Sequence, residues 1–365
     1  MKQTIFWLLG LFATSCSIQA IEVIDAGIYL SSNHFSNVIY WLDDDNLLVA
    51  GVPVERKPSD PSGTRLLRYR IANRSVTDMG QIGGGLCVSN GVVRFWRPTP
   101  ETADKPLSQQ KKVSLAGSLD NLVEVPPPPP LPPFSLPRDR EPLHACQYPH
   151  ELVPPPWLEE ARKSGRLFKP LKPEHGWVEM VVHRREGVRP NPDYPAAILK
   201  PDGTRVPIPD VFRSHLREGF SLFPPKYIHV KDAYFVVLTY AHGSGGSSSR
   251  PAGIPLAWWL YPNGSVEEFQ LRNPANWTWG TLIFTKVGNL WVRTRFGRAQ
   301  ASESGIYRDD ISGPVKLVAG RVMMNQSVSP DGCLVAFGND ESFDLASGGG
   351  VFKLQVINAC EGKLK

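Results

Sequence analysis

A doubled hairpin recurs six times along this chain. One series places a short turn beside an alternating apolar run: WLDDDNLLVA (41–50), CVSNGVVRFW (87–96), LKPEHGWVEMVV (171–182), HVKDAYFVVLTY (229–240), FTKVGNLWVRTR (284–295) and SVSPDGCLVAFG (327–338). A second series follows, each member with its own turn: LLRYRIANRSVTDMG (66–80), KKVSLAGSLDNLVEV (111–125), PAAILKPDGTRVPIPD (195–210), LAWWLYPNGSVEEFQL (256–271), GIYRDDISGPVKLVAG (305–320) and GVFKLQVINACEGK (350–363). Two hairpins make four antiparallel strands, the content of one propeller blade. The pattern predicts an all-β chain, a six-bladed β-propeller of four-stranded antiparallel blades.

The repeat keeps a phase. Asn46 to Gly91 is 45 residues and Gly288 to Gly332 is 44, matching one four-stranded blade. The step from Gly91 to Gly176 is 85 residues, so about one blade's length is inserted there. Asn90-Gly91, Asp202-Gly203, Asn263-Gly264 and Asp331-Gly332 pair an Asx residue with a glycine, both tolerant of positive φ in tight turns. The last repeat lacks room for a fourth strand after Ala359. Residues 21–30, IEVIDAGIYL, have no hairpin partner of their own. The N-terminal strand is therefore expected to pair into the last blade and close the ring, leaving no open edge.

SVSPDGCLVAFG (327–338) resembles the Ser-Pro-Asp-Gly signature of TolB-like, WD-repeat-like periplasmic propeller repeats. The resemblance covers roughly residues 34–363 and implies the repeat type, commonly a binding platform. TolB-like chains carry an α/β domain before the propeller, for which residues 21–33 leave no space.

Lys2, an apolar stretch from Ile5 to Ala13 and small or polar residues up to Ala20 form the three regions of a secretory signal peptide. The apolar stretch is too short for a permanent membrane span. Two processing sites compete. Cleavage after Ala20 releases a soluble periplasmic or secreted protein. Ala13-Thr14-Ser15-Cys16 resembles a bacterial lipobox, whose lipidated Cys16 would tether the protein to the outer membrane. The expected organisation is a signal peptide at 1–20 and one propeller domain at 21–365. A Pro-rich insertion at 126–170 separates blades two and three.

That insertion opens with PPPPPLPP (126–133), a run that favours stiff polyproline II and serves as a spacer. Trp157 to Lys163 reads as one short helix, with Pro156 before it, acidic residues in its first turn and Gly165 beyond its end. Trp157 and Leu158 are expected to pack against the blades.

Outside the signal lie Cys87, Cys146, Cys333 and Cys360. An even count in an exported chain favours disulfides. Cys333 opens the second strand of the last blade and Cys360 closes the third, so antiparallel pairing sets them opposite each other. That pairing leaves Cys87 for Cys146. Four buried free thiols are the alternative.

No catalytic pattern stands out. Around Ser244, His242 takes the first glycine place of Gly-x-Ser-x-Gly and no helix follows, so the nucleophile-elbow context is missing. Asp43-Asp44-Asp45-Asn46 lacks the glycine and distal glutamate of a calcium loop. The eight histidines are dispersed, and no Cys-x-x-Cys or His-x-His spacing marks a metal site. No catalytic, cofactor or metal residue is assigned, and no cofactor is expected. Trp258 and Trp259 read as core, while Trp277 and Trp279 are candidate binding aromatics. With 40 basic and 35 acidic residues, net +5 and no basic tract, a nucleic-acid partner is not expected.

The functional expectation is a non-enzymatic protein-binding scaffold of the cell envelope, monomeric, with another envelope protein as partner. A propeller enzyme acting on a glycan or lactone at the central channel is the alternative. A small-ligand or metal sensor is a third reading.

Overall fold

A computed structural model describes residues 21–30, 39–55, 64–89, 91–105, 109–126, 157, 160–161, 167–170, 176–181, 194–200, 202–212, 220–222, 225–240, 256–269, 282–293, 303–310, 313–322, 326–340 and 352–360. The chain is all-β. After β1 (Val23–Leu30), the first repeat is β2 (Ile39–Trp41), β3 (Asn46–Pro53), β4 (Arg65–Arg70) and β5 (Ser75–Gln81). The second is β6 (Gly84–Ser89), β7 (Val92–Pro98), β8 (Lys112–Ser118) and β9 (Asn121–Val125). The third is β10 (Leu167–Pro170), β11 (Trp177–Val181), β12 (Tyr194–Leu199) and β13 (Arg205–Pro207). The fourth has β14 (Phe220–Leu222), β15 (Lys226–Ile228), β16 (Ala233–Tyr240), β17 (Leu256–Leu260) and β18 (Val266–Glu268). The fifth is β19 (Leu282–Thr285), β20 (Gly288–Arg293), β21 (Gly305–Asp310) and β22 (Gly313–Ala319). The sixth has β23 (Arg321–Val322), β24 (Ser327–Val328), β25 (Leu334–Asp340) and β26 (Lys353–Asn358).

Every strand pair is antiparallel and follows chain order within its repeat. Repeats two, three and five are four-stranded sheets, an arrangement consistent with a propeller. In repeats one to five the second strand is more buried than the fourth. In β3, NLLVAGVP, seven of eight positions are buried, as befits a strand covered on both faces. In β5, SVTDMGQ, the first four positions are exposed, and this polar edge discourages stray pairing. The glycines of the four Asx-Gly turns, Gly91, Gly203, Gly264 and Gly332, all have the expected positive φ.

The structure adds two features to the expected pattern. First, the opening strand of repeats four and six is broken. β14 and β15 both pair with β16, and β23 and β24 both pair with β25. Second, the described strands form five sheets. Repeats one and six share one nine-stranded sheet, in the order β23-β25-β26-β1-β3-β4-β5, with β2 paired to β3 and β24 to β25 off this path. The cause lies in β1. Its Val23, Ile24 and Asp25 ladder onto Ile357, Val356 and Gln355 of β26. A bulge follows at Gly27 (φ +65), whose N–H is taken by Asp25 Oδ1 and which bends the strand. Ile28, Tyr29 and Leu30 then pair with Pro53, Val52 and Gly51 of β3. Residues 21–30 thus enter the last repeat as expected, and they also bind the first.

Among the described residues, buried apolar clusters join neighbouring repeats at every junction except that between two and three. The largest unites Ile28, Leu47 and Leu67 with Phe95 of repeat two and Val356 of repeat six. Others join repeats three and four through Ile198 and Tyr234, four and five through Trp259 and Phe284, and five and six through Ile306 and Phe337. Trp258 and Trp259, 6% and 4% exposed, are core as expected.

Candidate functional site

Antiparallel order separates two ends of the repeats. The first-to-second turns span two to six residues, as do the described third-to-fourth turns, and all lie at one end. The second-to-third connections leave from the other end. They are 54–64, 99–111, 182–193, 241–255, 294–304 and 341–352, each 11 to 15 residues long.

At the short-turn end, four repeats meet on the Ser329–Gly332 turn. His229 Nε2 donates to the Ser329 carbonyl at 3.0 Å. The Lys286 amide donates to the Gly332 carbonyl at 2.9 Å. The Asp331 amide donates to Asp44 Oδ1 at 2.8 Å. Trp41 Nε1 donates to the Ser327 carbonyl at 3.0 Å. Gly332 is so close to repeat four that a side chain there would meet Val230 Cγ1 at 2.5 Å. Repeats one, four and five are thereby tied to repeat six at this hub.

The turn is also braced from within. Ser329 Oγ donates to Asp331 Oδ1 at 2.5 Å and accepts from the Leu334 amide at 2.8 Å. Burial opposes ionisation of Asp331, but the Ser329 hydroxyl, the Cys333 amide and the Lys286 charge outweigh it and hold the carboxyl below its usual range. Asp43 behaves in the same way. Burial raises it, while Asn46 and the Asp45 amide lower it further. Asp45 is lowered chiefly by its hydrogen bond with Arg70. The run 43–46 is a hydrogen-bonded turn, with Asp43 Oδ1 taking the amides of Asp45 and Asn46, as its sequence implies. In repeat four, Tyr227 donates to Asp232, and burial raises the Tyr234 phenol to about 12. Charges here brace turns.

Cys333 and Cys360 form the expected disulfide, with Cα atoms 5.1 Å apart. Cys87 is disulfide-bonded too, while Cys146 lies outside the described residues. So do Cys16, Trp277, Trp279, His242, Ser244, the signal segment and residues 127–156 of the insertion. Residues 157, 160 and 161 are helical as expected. Trp157 stands edge-on to Trp177 at 5.3 Å and Phe168 at 6.5 Å, against Gly203. It covers the short-turn end of repeat three.

The hub escaped sequence reading except for its turn chemistry. Its members lie up to 287 residues apart, and only Ser329, Asp331 and Gly332 belong to a motif, the Ser-Pro-Asp-Gly turn. Among the described residues, no three His, Cys, Asp or Glu side chains gather as a metal site.

No family model and no curated protein matches the chain. Among solved structures, the chain is similar to an oligogalacturonate lyase from Vibrio parahaemolyticus, with 11% identity, 94% of each chain covered and a TM-score of 0.36. An α-L-arabinofuranosidase from Fusarium graminearum, in complex with arabinobiose, shares 9% identity over 93% of this chain and 99% of its own, with a TM-score of 0.35. TolB from Acinetobacter baumannii shares 8% identity over 93% of this chain and 54% of its own, with a TM-score of 0.23. At such scores the likeness assigns no activity.

Proposed function

We propose that this chain is an exported six-bladed β-propeller, its ring closed by β1, that acts as a non-enzymatic scaffold for another envelope protein. The carrying observation is the contrast between the two ends. At one end the opening turns of repeats one, four, five and six come together in the hub, whereas six connections of 11 to 15 residues leave the other. Long loops on a rigid scaffold are where binding is usually placed. The Cys333–Cys360 disulfide supports an oxidising compartment, periplasmic or extracellular.

The test uses the mature protein as bait in envelope extracts. A defined partner is expected. It should be lost when 182–193 or 241–255 is replaced by a Gly-Ser segment of equal length, with the melting temperature unchanged. It should survive Lys231→Glu at the hub end. Recovery of no partner by the intact protein, or turnover of a glycan or lactone, overturns the reading. Palmitate labelling abolished by Cys16→Ala would identify the lipid-anchored form, and its absence the soluble one.

A further inference from the structure

The Cys333–Cys360 bridge has a place that a simple strand staple does not need. The β25–β26 ladder ends at the Leu334–Asn358 pair. Beyond it runs the chain that makes the hub, Ser329 to Cys333. Among the described residues, that segment is tied to the end of β26 by the Ala359 amide on the Cys333 carbonyl at 2.8 Å and by the disulfide. Cys333 also donates its amide to Asp331 Oδ1 at 3.0 Å. Asp331 in turn donates to Asp44, Gly332 accepts from Lys286 and Ser329 accepts from His229. A covalent tie thus sits directly after the turn on which repeats one, four and five converge. Both cysteines are only half-buried, so a reductant can reach them.

We propose that the Cys333–Cys360 disulfide is a redox-sensitive lock on the hub: oxidised, it fixes the turn that ties repeats one, four and five to repeat six, and reduced, it lets that turn release them. The reductant is a dithiol. One of its thiolates attacks a bridge sulfur, forming a mixed disulfide and expelling the other cysteine as a thiolate that takes up a proton. The second thiol of the dithiol resolves the mixed disulfide. Two electrons and two protons pass to Cys333 and Cys360, and the dithiol leaves as a disulfide. The loosening is local, because β25 and β26 keep six ladder pairs, from Leu334–Asn358 to Asn339–Lys353. This inference does not depend on what the opposite end binds.

The test is amide hydrogen exchange on the mature protein, oxidised and after dithiothreitol, with free thiols counted by alkylation and mass spectrometry. Exchange at the Lys286 and Asp331 amides should rise about tenfold or more on reduction, as expected for local opening. Amides of the β7–β8 ladder should change less than twofold. The double variant Cys333→Ser/Cys360→Ser should behave like the reduced protein without any reductant. Should it fail to fold, reduction of the native chain still gives the answer. A Cys87→Ser chain should respond to reduction as the parent does, which separates the two disulfides. Unchanged exchange at Lys286 and Asp331 after complete reduction of the bridge overturns the lock. So does an equal rise across all five sheets, which would make the bridge a global staple.

Discussion

At Gly176 a methyl group would lie 1.9 Å from the Leu199 carbonyl oxygen, with φ at +89. Nothing adjacent can yield, because the obstacle is backbone of the paired strand. Gly176→Ala should therefore cost about 3 kcal/mol or more, combining strain with a displaced ladder. Gly91 has a similar φ of +74 but open space around it, so Gly91→Ala should cost only about 1–2 kcal/mol. Urea midpoints of the two variants decide this, and equal losses would refute it. The sequence ranks these sites in reverse, since Asn90-Gly91 is the stronger turn signal. Asx chemistry is local and legible, whereas the approach of Leu199 to Gly176 needs the fold. Asp331 carries the pH dependence at this scale. Its carboxyl is held below the usual range in the fold. Its contribution is thus complete above the unfolded value of about 4 and drains away as pH falls through the lower folded value. Asp331→Asn should be less stable than the parent at pH 7 yet lose less between pH 5 and pH 2. Parallel acid-unfolding curves would rule this out.

The elements show which part of the pattern is readable. Alternation and turn residues locate the hairpins, since burial of one face and turn geometry are written in neighbouring residues. The breaks in the opening strands of repeats four and six leave no such mark, because they depend on register against β16 and β25. Contacts between sheets are likewise hidden. Phe284 of β19 meets Phe235 of β16 at 4.7 Å and Trp259 of β17 at 4.8 Å, with Phe269 at 6.0 Å. Phe284 is 5% exposed. Its ring joins repeats four and five through edge-on contacts that add to its buried area. Phe284→Ala should cost about 3–5 kcal/mol, whereas Phe284→Leu should recover more than half of that loss. Chemical denaturation measures both. A loss below about 1 kcal/mol for the alanine variant would mean that the sheets do not lean on this cluster.

On the scale of the molecule, β1 is the critical strand, because it is laddered on both edges. Leu30 donates its amide to the Phe352 carbonyl at 2.7 Å on one side, while Val54 donates to the Gly27 carbonyl at 2.9 Å on the other. The role of residues 21–30 in the last repeat is legible from the missing fourth strand of that repeat. Their second role, on β3, arises from the bulge at Gly27 and from no repeat logic. Removing residues 21–30 should expose two strand edges together, the outer edge of β26 and Gly51 to Pro53 of β3. Unpaired edges recruit other chains. A chain beginning at residue 31 should thus elute as higher assemblies and lose a cooperative melt. A synthetic peptide of residues 21–30 should return it to a monomer as added-strand pairing refills both edges. The melting temperature should then rise with peptide concentration, as mass action requires. A peptide with Gly27→Val should pair with β26 but rescue poorly, since a straight strand does not turn onto β3. A shortened chain that stays monomeric and melts with the parent would show that the first and last repeats hold together without β1, through the hub and the shared core alone.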